Sequence, residues 1–216
     1  MIIKFSKWSI LPAAVLLVGT VALAQDTSTP GTTTTPSSTA APQPTVRQRK
    51  ENQQDRIANG VKSGQLTAGE TANLETKEAA INGETRADRA ANGGKLTQAE
   101  KQLINGQHNQ LSKQIYNDKH NANTAQYGNN KVAQRRENQQ DRIAQGIKSG
   151  QLTAGETAKL ENQQKGINQQ VAADRVANGG KLTRGEKQQV SKEQNTASKN
   201  IYNQKHNART QPQAKK

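Results

Sequence analysis

The sequence contains no cysteine, so no disulfide can staple it in an oxidising compartment and no thiolate is available as a nucleophile or soft metal ligand. Aromatic residues make up 2% of the chain, with one Phe, one Trp and three Tyr. Single-stranded nucleic acid is gripped by stacking bases on such rings, so no specific nucleic-acid recognition is expected. Apolar residues reach only 30%, far below the usual globular share. That excludes a thick core, and with it an enclosed, desolvated reaction centre. Acidic side chains are the scarcer charge: 17 Asp and Glu stand against 31 Lys and Arg, a net charge of +14.

Long apolar runs are also scarce, and the one present is N-terminal. Lys4 and Lys7 precede an apolar stretch from Ile10 to Leu23 that exits through Ala22-Leu23-Ala24. A positive start, an apolar middle and a small-x-small exit are the parts of a secretory signal peptide, expected over 1–24. An uncleaved anchor is the competing reading of the same run, and Pro12 and the Ala-Leu-Ala exit favour cleavage. No Cys follows Ala24 to carry a lipid. The expected location is the periplasm or the exterior. Cleavage removes the only Phe, Trp and Met (Phe5, Trp8, Met1), and the loss of Lys4 and Lys7 leaves +12. No other stretch is apolar enough to span a membrane, so the mature form has no transmembrane segment.

Residues 25–45 are dominated by Thr, Ser, Pro and Ala, with nothing to bury, and read as a disordered spacer. Two long repeats follow at a constant offset of 86, which relates Arg56 to Arg142 and Tyr116 to Tyr202. The segment SGQLTAGETA recurs unchanged at Ser63 and Ser149. Close internal repetition marks a duplicated structural unit. The expected layout is a helical repeat over 46–127, a linker over 128–131, a second helical repeat over 132–210 and a basic tail over 211–216.

Inside each repeat a shorter pattern appears twice: D-R-x-A-[NQ]-G, then G-x-L-T-x-x-E. Thr67, Thr97, Thr153 and Thr183 are placed to cap a following helix, and Glu70, Glu100, Glu156 and Glu186, three residues on, complete a capping box. Leu66, Leu96, Leu152 and Leu182 precede them as hydrophobic staples. Gly60, Gly93, Gly146 and Gly179 are expected where the preceding helix ends with positive φ. Ile104, His108, Leu111 and Ile115 fall on one face at helical spacing, and Val190, Ala197 and Ile201 repeat the pattern. Leu74 and Ile81, Leu160, Ile167 and Val171, and Ile57 with Val61 form similar narrow stripes. The fold class is therefore all-α: two tandem three-helix units of helical hairpins, with helices near 47–62, 68–91 and 98–121 in the first. The stripes are thin, so the repeats either pack on each other or on a partner.

The corner from Asn59 to Glu70 resembles a degenerate EF-hand loop. Gly64, Leu66, Thr67 and Glu70 stand at its sixth, eighth, ninth and twelfth positions. The resemblance implies divalent-cation binding, with Asn59, Ser63, Glu70 and Glu156 as the candidate ligands. Calcium asks for carboxylates at the first, third and fifth positions, where this corner has Asn59, Val61 and Ser63. The second corner is also shorter, as Asp55 to Leu66 spans 11 residues and Asp88 to Leu96 only 8. The mature region as a whole resembles uncharacterised exported helical-repeat proteins of Gram-negative bacteria, a resemblance that implies export and repetition but no activity.

Other chemistry finds little support. His120 and His206, beside Lys119 and Lys205, complement helix C-termini, and His108 becomes Gln194 in the second repeat. Asp88 with Glu100, and Asp174 with Glu186, are expected to pair with Arg89 and Arg175. No Ser–His–Asp order or phosphate-cradling loop is present, so neither an enzyme nor a cofactor is expected. The function that fits is a non-enzymatic exported binding or structural protein. Its partners would be anionic envelope polymers, lipid headgroups, another protein or a second copy of itself, met through basic helical faces. The alternative is calcium binding by the EF-hand-like corners.

Overall fold

The computed structural model describes residues 44–211; the expected signal peptide, nearly all of the spacer and the tail beyond Gln211 lie outside them. Six helices occupy this span, and no strand occurs among the described residues: α1 Val46–Lys62, α2 Ala68–Ala91, α3 Gln98–Lys119, α4 Lys131–Lys148, α5 Ala154–Ala177 and α6 Arg184–Lys205. None is long and apolar enough to cross a membrane.

Each helix start is built locally. Thr67, Thr97, Thr153 and Thr183 each accept from the backbone N–H three residues on, while Glu70, Glu100, Glu156 and Glu186 reach back to the cap backbone. These pairs meet two of the four orphan N–H groups at each helix start. Thr45 with Gln48 does the same for α1, and Asn130 caps α4. The shorter corner ends α2 and α5 on Asn92 and Asn178, followed by Gly93 and Gly179 at φ near +60°.

The longer corner is built differently from the expectation. Gly60 and Gly146 lie inside α1 and α4 rather than at their ends, and the positive φ falls on Gly64 and Gly150. Gly60 is needed for close approach: a Cβ there would sit 2.7 Å from Leu66 Cγ and Cδ1, and the one at Gly146 would sit 2.6 Å from Leu152 Cδ1. The Leu66 N–H donates to Gly60 O at 3.0 Å, so the chain folds back onto the bare backbone of the last turn.

The two repeats pack on each other. α1 packs on α4 and α2 on α5, each inner helix on its own duplicate, while α3 covers α1 and α2 and α6 covers α4 and α5. Gly69 approaches Lys165 and Gly155 approaches Ala79, so the start of each long inner helix lies beside the middle of the other and the two run antiparallel. One hydrophobic cluster draws on both halves: Ile57, Leu74, Ile104 and Ile115 join Ile143, Leu152, Leu160 and Ile201. A smaller one joins Ile167, Val171, Leu182, Val190 and Ala197.

Polar residues complete the interior. Buried Gln53 donates to His108 O and Ser112 Oγ, both at 2.7 Å, and Gln139 donates to Gln194 O at 2.6 Å and Ser198 Oγ at 2.8 Å. Gln54 donates to Glu75 at 3.1 Å and Gln140 to Glu161 at 2.9 Å. A chain poor in aliphatic residues thus fills part of its centre with amides that donate to backbone, hydroxyl and carboxyl oxygens, the pairing that makes their burial tolerable. Glu75, Glu78, Glu161 and Gln211 nevertheless each keep one buried oxygen without a partner among the described residues. Gln211, expected in the tail, is part of this interior: its backbone N–H donates to Gly150 O at 3.0 Å and its side chain to buried Gln54 at 2.8 Å.

Candidate functional site

Where the halves meet, the duplication creates one cleft twice. The first has a volume of about 960 Å3 and is lined by Arg47 and Lys50 of α1, Asn82, Thr85, Arg86 and Arg89 of α2, His108 of α3, the Thr153–Gly155 start of α5, and residues 208–211. The second, of about 590 Å3, is lined by the Thr67–Gly69 start of α2, residues 124–127, Arg136 of α4, and Gln164, Lys165 and Asn168 of α5. The offset of 86 superposes Lys50 on Arg136, Asn82 on Asn168 and Gly155 on Gly69.

The copies differ in charge and filling. Arg47, Arg86 and Arg209 in the first correspond to Ala133, Ala172 and Asn123, while Ala79 corresponds to Lys165. In the second, Tyr127 lies against Arg136, whose guanidinium carbon is 5.5 Å from the ring centroid, a cation–π contact. Burial pushes the Tyr127 phenol up to about 12, so it stays protonated. In the first, Arg47 pairs with Glu51 at 2.8 Å and Arg209 stands 4.0 Å from Glu156. Lys50, Arg86 and Arg89 have no carboxylate within ion-pair distance among the described residues.

The interior also holds buried titratable groups. Burial pushes the Glu75 carboxyl up to about 8, opposed by the Gln54 hydrogen bond and reinforced by Glu78 and Glu161. Burial likewise raises Glu161 to about 8, and raises Glu78 to about 7 against the attraction of Lys50. His108 is lowered to about 4 by burial and by Arg49 and Lys50; its Nδ1 lies 2.8 Å from Gln53 Oε1, so it is a neutral ring donating there. In the second half Gln164 and Gln194 replace Glu78 and His108, and Gln164 donates to Gln139 Oε1 at 3.1 Å in the ring's place. This buried set escaped sequence reasoning. Its signal was the repeated Gln-Gln pair (Gln53-Gln54, Gln139-Gln140) and the Glu that follows Leu74 and its equivalent Leu160 (Glu75, Glu161).

A third basic concavity, of about 620 Å3, runs between α4, α5 and α6. It is lined by Lys131, Arg135, Arg175, Lys181 and Lys187 around Val132 and Leu182.

The other sequence candidates lie elsewhere. Asn59 is inside α1, Ser63 caps its end, and Glu156 begins α5 in the other half. Glu70 is committed locally: one oxygen accepts from the Thr67 N–H at 2.9 Å and hydroxyl at 2.7 Å, the other from Asn121 at 2.8 Å and Asn123 at 3.3 Å. The fold therefore does not bring the four together. Among the described residues, no three His, Asp or Glu side chains gather as a metal site would require. Arg89 and Arg175 form no ion pair with Asp88, Glu100, Asp174 or Glu186 among the described residues, and Glu100 and Glu186 are bonded to Asn92 and Asn178 instead. His120 and His206 stack on Tyr116 and Tyr202 and bond their carbonyls at 2.7 Å. Compared with known proteins, the chain matches no family model, and no curated protein or solved structure gives a significant match.

Proposed function

We propose that the protein is an exported, non-enzymatic binding module that attaches to anionic polymers of the cell envelope through its basic faces. The N-terminal pattern of Lys4, Lys7 and the apolar run to Ala24 supports export. The observation that carries the reading is the set of unpaired cations lining the first cleft, Lys50, Arg86 and Arg89, together with the separate cation-lined groove between α4, α5 and α6. Side chains that a fold leaves without counter-ions raise the local concentration of polyanions and speed their capture. The chemistry expected of such a partner is repeated phosphate or carboxylate, contacted by salt-screened pairing.

Retention of the purified protein on heparin, lipopolysaccharide and anionic vesicles tests this. Binding at low ionic strength that is released steeply as salt rises is the expected result. Passage through all three without delay at low salt would remove the reading.

A further inference from the structure

The two clefts share one backbone plan but differ in their cations, so the chain contains its own control. The first cleft adds Arg47, Arg86 and Arg209 where the equivalent positions of the other repeat hold Ala133, Ala172 and Asn123. Arg47 faces Glu51 and Arg209 faces Glu156, while Arg86, like Lys50 and Arg89, is free of a carboxylate partner among the described residues. Arginine forks match the oxygens of phosphate in pairs. The walls supply more than charge. The amides of Ala154 and Gly155 open a 24-residue helix, a position that favours anions, though Glu156 already contributes a carboxylate there. Gln211 lines the cleft at 6% exposure, and its Oε1 has no hydrogen-bond partner among the described residues. Asn82, Thr85 and His108 add neutral polar groups.

Three features narrow the ligand. A volume of about 960 Å3 lies near the top of the small-molecule range, well beyond what a bare inorganic ion fills. Apart from the His108 ring, no aromatic side chain among the described residues lines the cleft, so these walls offer a nucleobase no stacking platform. The unpartnered Gln211 acceptor calls for a donor such as a hydroxyl.

The geometry points to the first cleft as a single binding site for a phosphorylated sugar, its phosphate held by the arginine rim and its hydroxyls by Asn82 and Gln211. This rests on the anion-binding reading above but is narrower than it: one saturable site rather than a charged surface. Free sugar phosphates and the phosphorylated sugars of envelope glycolipids share this chemistry.

The test is calorimetric titration of the purified protein with glucose 6-phosphate, with inorganic phosphate, and with vesicles containing lipid A. The triple variant Arg47→Ala, Arg86→Ala, Arg209→Asn gives the first cleft the residues found at the equivalent positions of the other repeat. Its control is Lys113→Ala, Lys159→Ala, Lys199→Ala, which removes the same charge from exposed positions outside both clefts. The expected result is saturable one-to-one binding of glucose 6-phosphate or of lipid A vesicles, weakened at least tenfold in the cleft variant and within twofold of the parent in the control. Which of the two ligands binds identifies the source, and circular dichroism confirms that both variants remain helical. No saturable binding of either ligand, or equal loss in both variants, overturns the site. Inorganic phosphate binding as tightly as the sugar phosphate would overturn the sugar part. Heparin retention measured on the same samples separates the two ideas, because it survives failure of the site but not failure of the broader reading.

Discussion

At the residue scale, two buried features contradict ordinary expectation and give measurable consequences. Alanine normally stabilises a helix relative to glycine by about 1 kcal/mol. At Gly60 the sign reverses, because the new methyl would sit 2.7 Å from the Cγ and Cδ1 of the fully buried Leu66 side chain. Gly60→Ala and Gly146→Ala are each expected to cost about 1–3 kcal/mol, seen as a lower thermal midpoint. Gly83→Ala and Gly166→Ala, in open helix interiors, should match or exceed the parent. The second feature is the row of buried carboxyls. Glu75 and Glu161 hold their protons to about pH 8 in the fold and release them near 4.5 when unfolded. Glu78, at about 7, acts in the same direction. Folding therefore takes up protons across this window, and stability falls as pH rises through it. His108 opposes the trend only below 6.5, where the unfolded ring protonates and the folded one does not until about 4. Between pH 6.5 and 8 the carboxyls act alone. Thermal melts should show a falling midpoint there, and Glu75→Gln with Glu161→Gln should flatten the slope; a parent midpoint independent of pH would contradict the burial.

At the element scale, helix starts were the most legible part of the chain, because a capping box is complete within four residues. Thr67→Ala and Thr153→Ala should each cost about 0.5–2 kcal/mol, read from denaturant melts. Helix ends were less legible. The glycine that supplies positive φ and the one that admits a leucine side chain are four residues apart in each long corner (Gly64 and Gly60, Gly150 and Gly146), and only the packing distinguishes them. The EF-hand resemblance spans the same corner. Because the oxygens of Glu70 already accept four hydrogen bonds, calcium is expected to change neither helicity nor melting temperature. A calcium-induced rise in either would restore that alternative.

At the scale of the whole molecule, sequence periodicity specified the six helices but not their partners. Narrow stripes such as Leu74–Ile81 and Leu160–Ile167 show that a helix buries one side, and nothing local says that the side faces the duplicate helix. The polar interior was hidden for a related reason: Gln53, Gln54 and Glu75 look like solvent-facing residues until long-range pairing supplies their partners. The first cleft was illegible because its walls are up to 165 residues apart, from Val46 to Gln211. Because α1 and α2 bury their faces on α4 and α5, a fragment ending at Tyr127 should have no folded monomeric state. Sedimentation and circular dichroism should find it either without helix or as a dimer in which a second copy replaces the missing half. A helical monomer would show that each repeat is self-sufficient.

Joining α1–α3 to α4–α6 in one polypeptide has a consequence that no homodimer shares. In a dimer of identical subunits any substitution appears twice, so a ring such as Tyr127 set against one cavity would be set against both. Here the related cavities are encoded by separate stretches of sequence. One carries the Tyr127 ring against Arg136 while the other carries additional arginines, and the antiparallel seam of α2 and α5 is common to both.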